Sequence, residues 1–167
     1  RHNEIKGLIL NQDISSIQKS VLNKEISYEE LVKFFIYRIY KNELNKDLYL
    51  NSIISLNQNV INEARALDKS EEKRSPLTGI PILVKDNINV KGLKTTAGAS
   101  AFENNLVDND AYVIKNLKEQ GVLILGKLNM SEWAYYCCRP CPVGYSSMGG
   151  QTLNPYGRKV FESGGSS

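Results

Sequence analysis

The sequence predicts a layered α/β fold, because two apolar runs flank a helical segment. Residues 80–84, "IPILV", and residues 122–126, "VLILG", have the length and composition of buried strands. Between them, "DNDAYVIKNLKEQG" has helical periodicity, with Asp108 or Asn109 as its predicted N-cap and Gly121 as its stop. A strand, a helix and a strand in this order predict a βαβ unit with parallel strands.

The chain before this unit is predicted to be mainly helical. Residues 13–22 carry apolar side chains at helical spacing. In "ISYEELVKFFIYRIYKN", Ser27 and Glu30 form a capping box that begins a second helix. Residues 48–57 show the partial alternation of a strand, and residues 58–73 return to helical periodicity.

The chain after the second apolar run is predicted to form a short helix and then a long loop. "KLNMSEWAYY" favours the helix, with Met130 and Trp133 packed against the sheet. "GYSSMGGQTLNPYG" is rich in glycine, serine and proline, and long loops in compact domains are often functional. In "TTAGA", Thr95 and Thr96 could shape a pocket, although this sequence is equally typical of a turn.

Composition narrows the class of protein. The chain has 167 residues, 41% of them hydrophobic, which suits one domain with a core. Its 21 Lys and Arg and 18 Asp and Glu are interspersed, so no basic stripe indicates nucleic-acid binding. No apolar stretch approaches the roughly 20 residues of a membrane span, and the first residues lack a secretory core. We therefore expect a soluble, cytoplasmic protein that binds neither membranes nor nucleic acids.

The cysteines crowd into the segment "CCRPCP". A zinc site built on Cys138 and Cys141 would need two more ligands, and only Cys137 and His2 could be considered. We expect no metal site. An odd number of neighbouring cysteines is also a poor disulfide framework, so free thiols in a reducing compartment are expected.

Lys85 is the first candidate for chemistry. It directly follows the apolar run and lies where a buried strand reaches the surface of the sheet. A lysine that loses its charge by desolvation can serve as a base. The alternative is that Lys85 extends into solvent or pairs with Asp86. Because His2 is the only histidine and lies at the end of the chain, a histidine-based triad is disfavoured.

The final run "SGGSS" is the second candidate. It has no lysine and no following helix, so it is not a phosphate-binding loop of the Walker type. A flexible linker is the ordinary interpretation of glycine and serine. However, a lysine with serine hydroxyls is a known substitute for the serine, histidine and aspartate triad.

Four segments occur in series: "LTGIPILVKDNINVKGLKTTAGA", "NMSEWA", "GGQTLNPYG" and "SGGSS". In this order and approximate spacing they resemble the amidase signature family. The resemblance covers residues 77–167, and the form of "GGQTLNPYG" is most similar to the amidase and peptide-amidase branch. It implies the N-terminal part of the amidase signature fold, with helices around a mixed sheet that is incomplete in this chain. We expect residues 1–76 to be a helical region with one strand and residues 77–167 to be the N-terminal part of the catalytic core.

The resemblance also implies roles for individual residues. Lys85 matches the catalytic lysine of a Ser, cis-Ser and Lys triad, and Ser166 matches the serine that relays a proton between lysine and nucleophile. Ser167 matches the neighbouring serine of the same loop. In the family the nucleophilic serine and the oxyanion-hole segment follow this run, so the 167-residue polypeptide is expected to be inactive alone. We assign the role of the nucleophilic serine to none of Ser146, Ser147 and Ser163.

We therefore expect an amidase that hydrolyses the C–N bond of a small-molecule carboxamide without a cofactor. One alternative is the A subunit of an aminoacyl-tRNA amidotransferase, which would work with partner subunits. The other is a non-catalytic remnant. The segment "CCRPCP" is more cysteine-rich than in similar amidases, but nitrilase-type cysteine chemistry lacks an identifiable glutamate and lysine constellation.

Overall fold

The computed structural model describes residues 1–44, 49–71, 75–137 and 140–156. The described helices and strands, in chain order, are α1 (His2–Ile9), α2 (Ile14–Leu22), α3 (Tyr28–Leu44), β1 (Ile53–Leu56), α4 (Val60–Lys69), β2 (Pro81–Lys85), α5 (Tyr112–Glu119), β3 (Leu123–Leu128), β4 (Tyr145–Ser146) and β5 (Gly150–Gln151). A short 3₁₀ segment lies at Ser100–Phe102, and Glu132–Tyr135 forms a tight turn with non-helical angles at Trp133 and Ala134.

The main sheet is mixed. Its strand order is β1-β3-β2, with β2 parallel and β1 antiparallel to β3. Since α5 connects β2 to β3, the predicted βαβ unit is confirmed, and so is the mixed α/β class. β4 and β5 form a separate antiparallel hairpin.

Side-chain caps begin the N-terminal helices. Asp13 accepts a hydrogen bond of 2.7 Å from the backbone N–H of Ser16 at the start of α2. At α3, the Glu30 N–H donates to Ser27 Oγ at 3.1 Å and the Ser27 N–H donates to the Glu30 carboxylate at 3.0 Å. The predicted capping box is therefore confirmed. Helix α1 was not predicted.

The predicted N-cap of α5 is wrong. The helix begins after Ala111, which has no side-chain cap, so neither Asp108 nor Asn109 holds its first turn. The acidic side chain nearest this end is Asp110, which instead pairs with Lys118 Nζ at 2.8 Å.

The predicted stop at Gly121 is confirmed. Gly121 has φ +79°, and its N–H donates to the carbonyl of Lys118 at 2.8 Å. The next N–H, from Val122, donates to the carbonyl of Leu117 at 3.1 Å. These two bonds form a Schellman motif, which turns the chain from α5 directly into β3.

Apolar side chains cover both faces of the sheet. Leu123 and Leu125 of β3 point towards one cluster with α1, α2, α3 and α4, whereas Ile124 points towards Ile114 of α5 on the other face. This alternation follows from the two-residue period of a strand. The fold therefore has three layers, and the carboxyl ends of β2 and β3 lie together at one edge.

Candidate active site

Lys85 is the last residue of β2. It pairs with Leu128 of β3, and its carbonyl accepts a hydrogen bond of 3.0 Å from the N–H of Ile88. The chain therefore turns immediately after the lysine. Its side chain is half-buried, and within the described ranges its ammonium group has no hydrogen-bond or ion-pair partner.

Asp86 does not pair with Lys85. Its carboxylate is 1% exposed and forms an ion pair with Lys127, which is 0% exposed, with 3.2 Å between Nζ and Oδ1. Burial lowers the pKa of Lys127 below its usual value, and the Asp86 carboxylate opposes that change. Lys127 could not be identified from the sequence, because a lysine near the end of a strand is ordinarily exposed.

A cleft of about 360 Å³ lies next to this strand end. Mostly apolar and amide side chains line it, contributed by the turn after β2, the 95–105 segment and the chain after β3: Asn87, Thr95, Thr96, Ala97, Phe102, Asn105, Met130, Trp133 and Ala134. For Thr95 and Thr96 the sequence left a pocket role and a turn equally open, and both residues line the cleft. Met130 and Trp133 also line it, whereas the sequence indicated only packing for them.

The segment after β3 forms a left-handed turn and not the predicted short helix. Trp133, Ala134 and Tyr135 have φ values of 51°, 50° and 73°. The Trp133 N–H donates to the carbonyl of Ala97 at 3.0 Å, which fixes the turn against the opposite wall of the cleft. The indole ring then meets Phe102 edge-on at 5.2 Å. Left-handed conformations of non-glycine residues cost free energy and are concentrated at functional sites.

Asn129 holds the β4–β5 hairpin beside the turn. Its Nδ2 donates to the carbonyl of Gly150 at 3.1 Å and to Thr152 Oγ1 at 3.0 Å. Its Oδ1 accepts a hydrogen bond of 2.7 Å from Ser146 Oγ, which is fully buried. Gly149 packs so closely on Asn129 that an added Cβ would lie 2.5 Å from its side chain. Gly149 and Ser146 of this loop therefore have packing roles, and the buried Ser146 is inaccessible to solvent.

The two predicted serines, Ser166 and Ser167, lie outside the described residues, so the structure does not relate them to Lys85. Cys137 is exposed and free. Cys141 is disulfide-bonded, so the expectation of free thiols is wrong for this residue. Across the described ranges, no group of three or more His, Cys, Asp or Glu side chains could hold a metal ion. None of the described helices has the length and apolar character of a membrane span.

A three-layer α/β fold with a cleft at the carboxyl ends of its parallel strands defines a broad class of ligand-binding and catalytic domains. Within that class, the chain belongs to the amidase signature family, since the family model "Amidase" matches residues 30–167. The match begins at residue 30, whereas the four segments that resemble the family in sequence begin at residue 77.

Solved structures of the family resemble the chain closely. An amidase family protein from Bacillus anthracis str. Ames is 40% identical, with a TM-score of 0.91 over 99% of this chain and 33% of that one. The peptide amidase from Stenotrophomonas maltophilia is 35% identical, with a TM-score of 0.84 over 88% of this chain and 30% of that one.

A curated relative points to a second branch. The A subunit of the glutamyl-tRNA(Gln) amidotransferase of Lachnoclostridium phytofermentans is 35% identical over 155 residues, which are 90% of this chain and 30% of that protein. The chain thus spans about a third or less of the length of the relatives that it matches.

Proposed function

We propose that the full-length protein carrying this sequence hydrolyses the C–N bond of a carboxamide to a carboxylic acid and ammonia or an amine. Family membership supports this proposal. The observation that carries it is the position of Lys85 at the carboxyl end of β2, two residues before Asn87 of the cleft. A half-buried amine without a partner among the described residues is available for proton transfer.

The proposed mechanism uses a Ser, cis-Ser and Lys triad. The Lys85 amine accepts a proton from Ser166, which in turn takes the proton of the nucleophilic serine as that serine attacks the amide carbonyl. Ser167, the neighbouring serine in sequence, is assigned a supporting role in the site. The leaving nitrogen receives the proton back through the same relay, and water then releases the acid from the acyl-enzyme. The scheme requires neither a metal nor an organic cofactor.

The cleft suits a small amide with an apolar group. Phe102, Met130 and Trp133 supply apolar surface, while Asn87 and Asn105 offer amide groups for polar atoms of the substrate. Neither a nucleic acid nor a membrane is required, and a cytoplasmic location is part of the proposal. We also keep the division into residues 1–76 and residues 77–167 as a proposal for the organisation of the chain.

We further propose that the 167-residue polypeptide, expressed alone, has no turnover. It spans 33% of the Bacillus anthracis relative, and the nucleophile and oxyanion donors are proposed to belong to the remainder of the full-length protein. Each missing oxyanion donor costs about 3 kcal/mol of transition-state stabilisation. Measurable hydrolysis by the short polypeptide that is abolished by Lys85→Ala would contradict this.

The test is amide hydrolysis by the full-length protein, with benzamide and N-acetyl-phenylalaninamide as probes. Lys85→Ala is expected to lower kcat/KM by at least about 10²-fold, because general-base catalysis contributes that much or more. Lys115→Ala, an exposed lysine of α5, is the matched control and should leave the rate unchanged. Equal rates for the Lys85 variant and the wild type would overturn the proposed mechanism. A full-length protein without turnover would favour the non-catalytic alternative.

The second candidate is the A subunit of an aminoacyl-tRNA amidotransferase, favoured by the 35% identity to such a protein. This candidate predicts that the protein co-purifies with a second, different polypeptide and releases ammonia from glutamine in preference to other amides. The amidase proposal predicts a monomeric or self-associated enzyme that hydrolyses simple amides without a partner. Measuring glutaminase and amidase rates on the same preparation separates the two.

A further inference from the structure

The ion pair between Asp86 and Lys127 has no part in the mechanism proposed above. Both side chains are fully buried, and 3.2 Å separates Lys127 Nζ from Asp86 Oδ1. Lys127 belongs to β3, and Asp86 directly follows Lys85 at the end of β2. The pair therefore joins the two parallel strands at their carboxyl ends.

Each member of the pair also holds the wall of the cleft. Asp86 Oδ2 accepts hydrogen bonds from the Thr96 N–H at 3.0 Å, from the Thr96 hydroxyl and from the Gly98 N–H at 3.3 Å. Lys127 Nζ donates to Thr95 Oγ1 at 2.9 Å and to the carbonyl of Lys94 at 3.2 Å. The 94–98 segment is thus bound by both charges.

The network continues to the other side of the cleft. The Asp86 carbonyl accepts a hydrogen bond of 3.1 Å from the Ala97 N–H, and the Ala97 carbonyl accepts one of 3.0 Å from the Trp133 N–H. Backbone hydrogen bonds therefore connect Asp86, next to Lys85, through Ala97 to the left-handed turn at Trp133.

A buried ion pair is a poor means of stabilising a fold. The cost of removing two charges from water is large, and apolar replacements are often as stable or more stable. Directional hydrogen bonds from a charged pair do, however, define one geometry for the groups around them. The arrangement is therefore better suited to fixing positions than to adding stability.

We propose that Asp86 and Lys127 are positioning residues, which hold the end of β2 at Lys85 and the 94–98 wall in the relative geometry that amide hydrolysis requires. This inference rests on the proposed function. It adds a pair of residues that act through Lys85 and the cleft without contacting the reacting atoms.

The test uses the full-length protein and the double variant Asp86→Asn/Lys127→Met, which removes both charges and leaves no lone buried ion. We expect its thermal midpoint to stay near that of the wild type, its kcat for benzamide to fall by about 10²-fold and its KM to change by less than about threefold. The single variant Lys127→Met leaves Asp86 without its counter-ion, and we expect it to lose both stability and kcat.

A matched control exists in the chain. Asp110 and Lys118 form another, half-buried ion pair beside α5 and outside the cleft, and Asp110→Asn/Lys118→Met should leave kcat unchanged. If the first double variant does not fold, Asp86→Asn/Lys127→Gln keeps polar donors at both sites and takes its place, with the same expected loss of kcat.

Three results would overturn the positioning role, and they differ in what they mean for the proposed function. If Lys85→Ala is inactive but the double variant is stable and retains wild-type kcat, the positioning role is wrong and the proposed function stands. If kcat and the thermal midpoint fall together in the single variant and recover together in the double variant, the pair serves only the fold, which also overturns the inference. A wild-type protein without turnover overturns the proposed function and the positioning role with it.

Discussion

At the scale of single residues, the cleft depends on backbone conformations that few residues adopt. Gly98 has φ +74°, and a Cβ added to it would lie 2.8 Å from Ser146 Cβ and 3.3 Å from the carbonyl of Met130. Ala97, directly before it, has φ +51°. Glycine at this position therefore allows the 94–98 segment to pass between the hairpin and the turn after β3.

We predict that Gly98→Ala lowers the free energy of unfolding by about 2 kcal/mol or more, because left-handed strain and overpacking add. Gly7→Ala is the matched control, since Gly7 lies in α1 and an added Cβ would meet nothing within 4 Å. That change should raise stability by about 0.5 to 1 kcal/mol. Urea unfolding of the full-length variants measures both. Equal effects of the two changes would show that the crowding at Gly98 is unimportant.

The position of Lys85 at the end of its strand could be predicted from the sequence, whereas the role of Lys127 could not. The position of Lys85 could be predicted from an apolar run and the residue that follows it. The burial of Lys127 depends on Asp86 and the 94–98 segment, which approach it only once β2 and β3 pair. The partner of Asp86 was therefore not predictable from its neighbours in sequence.

At the scale of elements, α3 is fixed to α4 by charges at its first turn. Asp68 of α4 accepts hydrogen bonds from the backbone N–H groups of Tyr28 at 2.8 Å and Glu29 at 3.0 Å. Glu29 in turn pairs with Arg65 of α4 at 2.9 Å and with Lys33 one turn along α3. The capping box could be predicted from local sequence, whereas the second cap comes from another helix and could not.

The Glu29 pair gives a prediction about pH. Hydrogen bonds from Arg65 and Lys33 lower the pKa of Glu29 from 4.5 to about 2. Because the folded-state pKa is below the unfolded value, the stabilisation is complete above about pH 4.5 and is lost as the pH falls towards 2. Glu29→Gln should therefore lower the thermal midpoint at pH 7, and its difference from the wild type should shrink steadily below pH 4.5.

The control is Glu103→Gln, which changes an exposed glutamate. Its thermal midpoint should follow that of the wild type at every pH. A Glu29→Gln difference that stayed constant from pH 7 to pH 3 would show that the ion pairs do not lower the pKa of this carboxyl group.

At the scale of the whole molecule, one sheet unites distant parts of the chain. The helical spacing and the apolar runs predicted the βαβ unit, because its two strands follow each other in sequence. They did not predict that β1 pairs antiparallel with β3, with Ile53 opposite Leu128, since a four-residue strand carries no signal for its neighbour. Nor could periodicity predict the left-handed turn at Trp133, which tertiary hydrogen bonds hold in place.

The most direct test of the proposed triad is a crystal structure of the full-length protein. We predict that Lys85 Nζ and Ser166 Oγ lie within hydrogen-bonding distance, about 3 Å, at the edge of the sheet beside the cleft. Electron density that places these two side chains on opposite sides of the sheet would contradict the account.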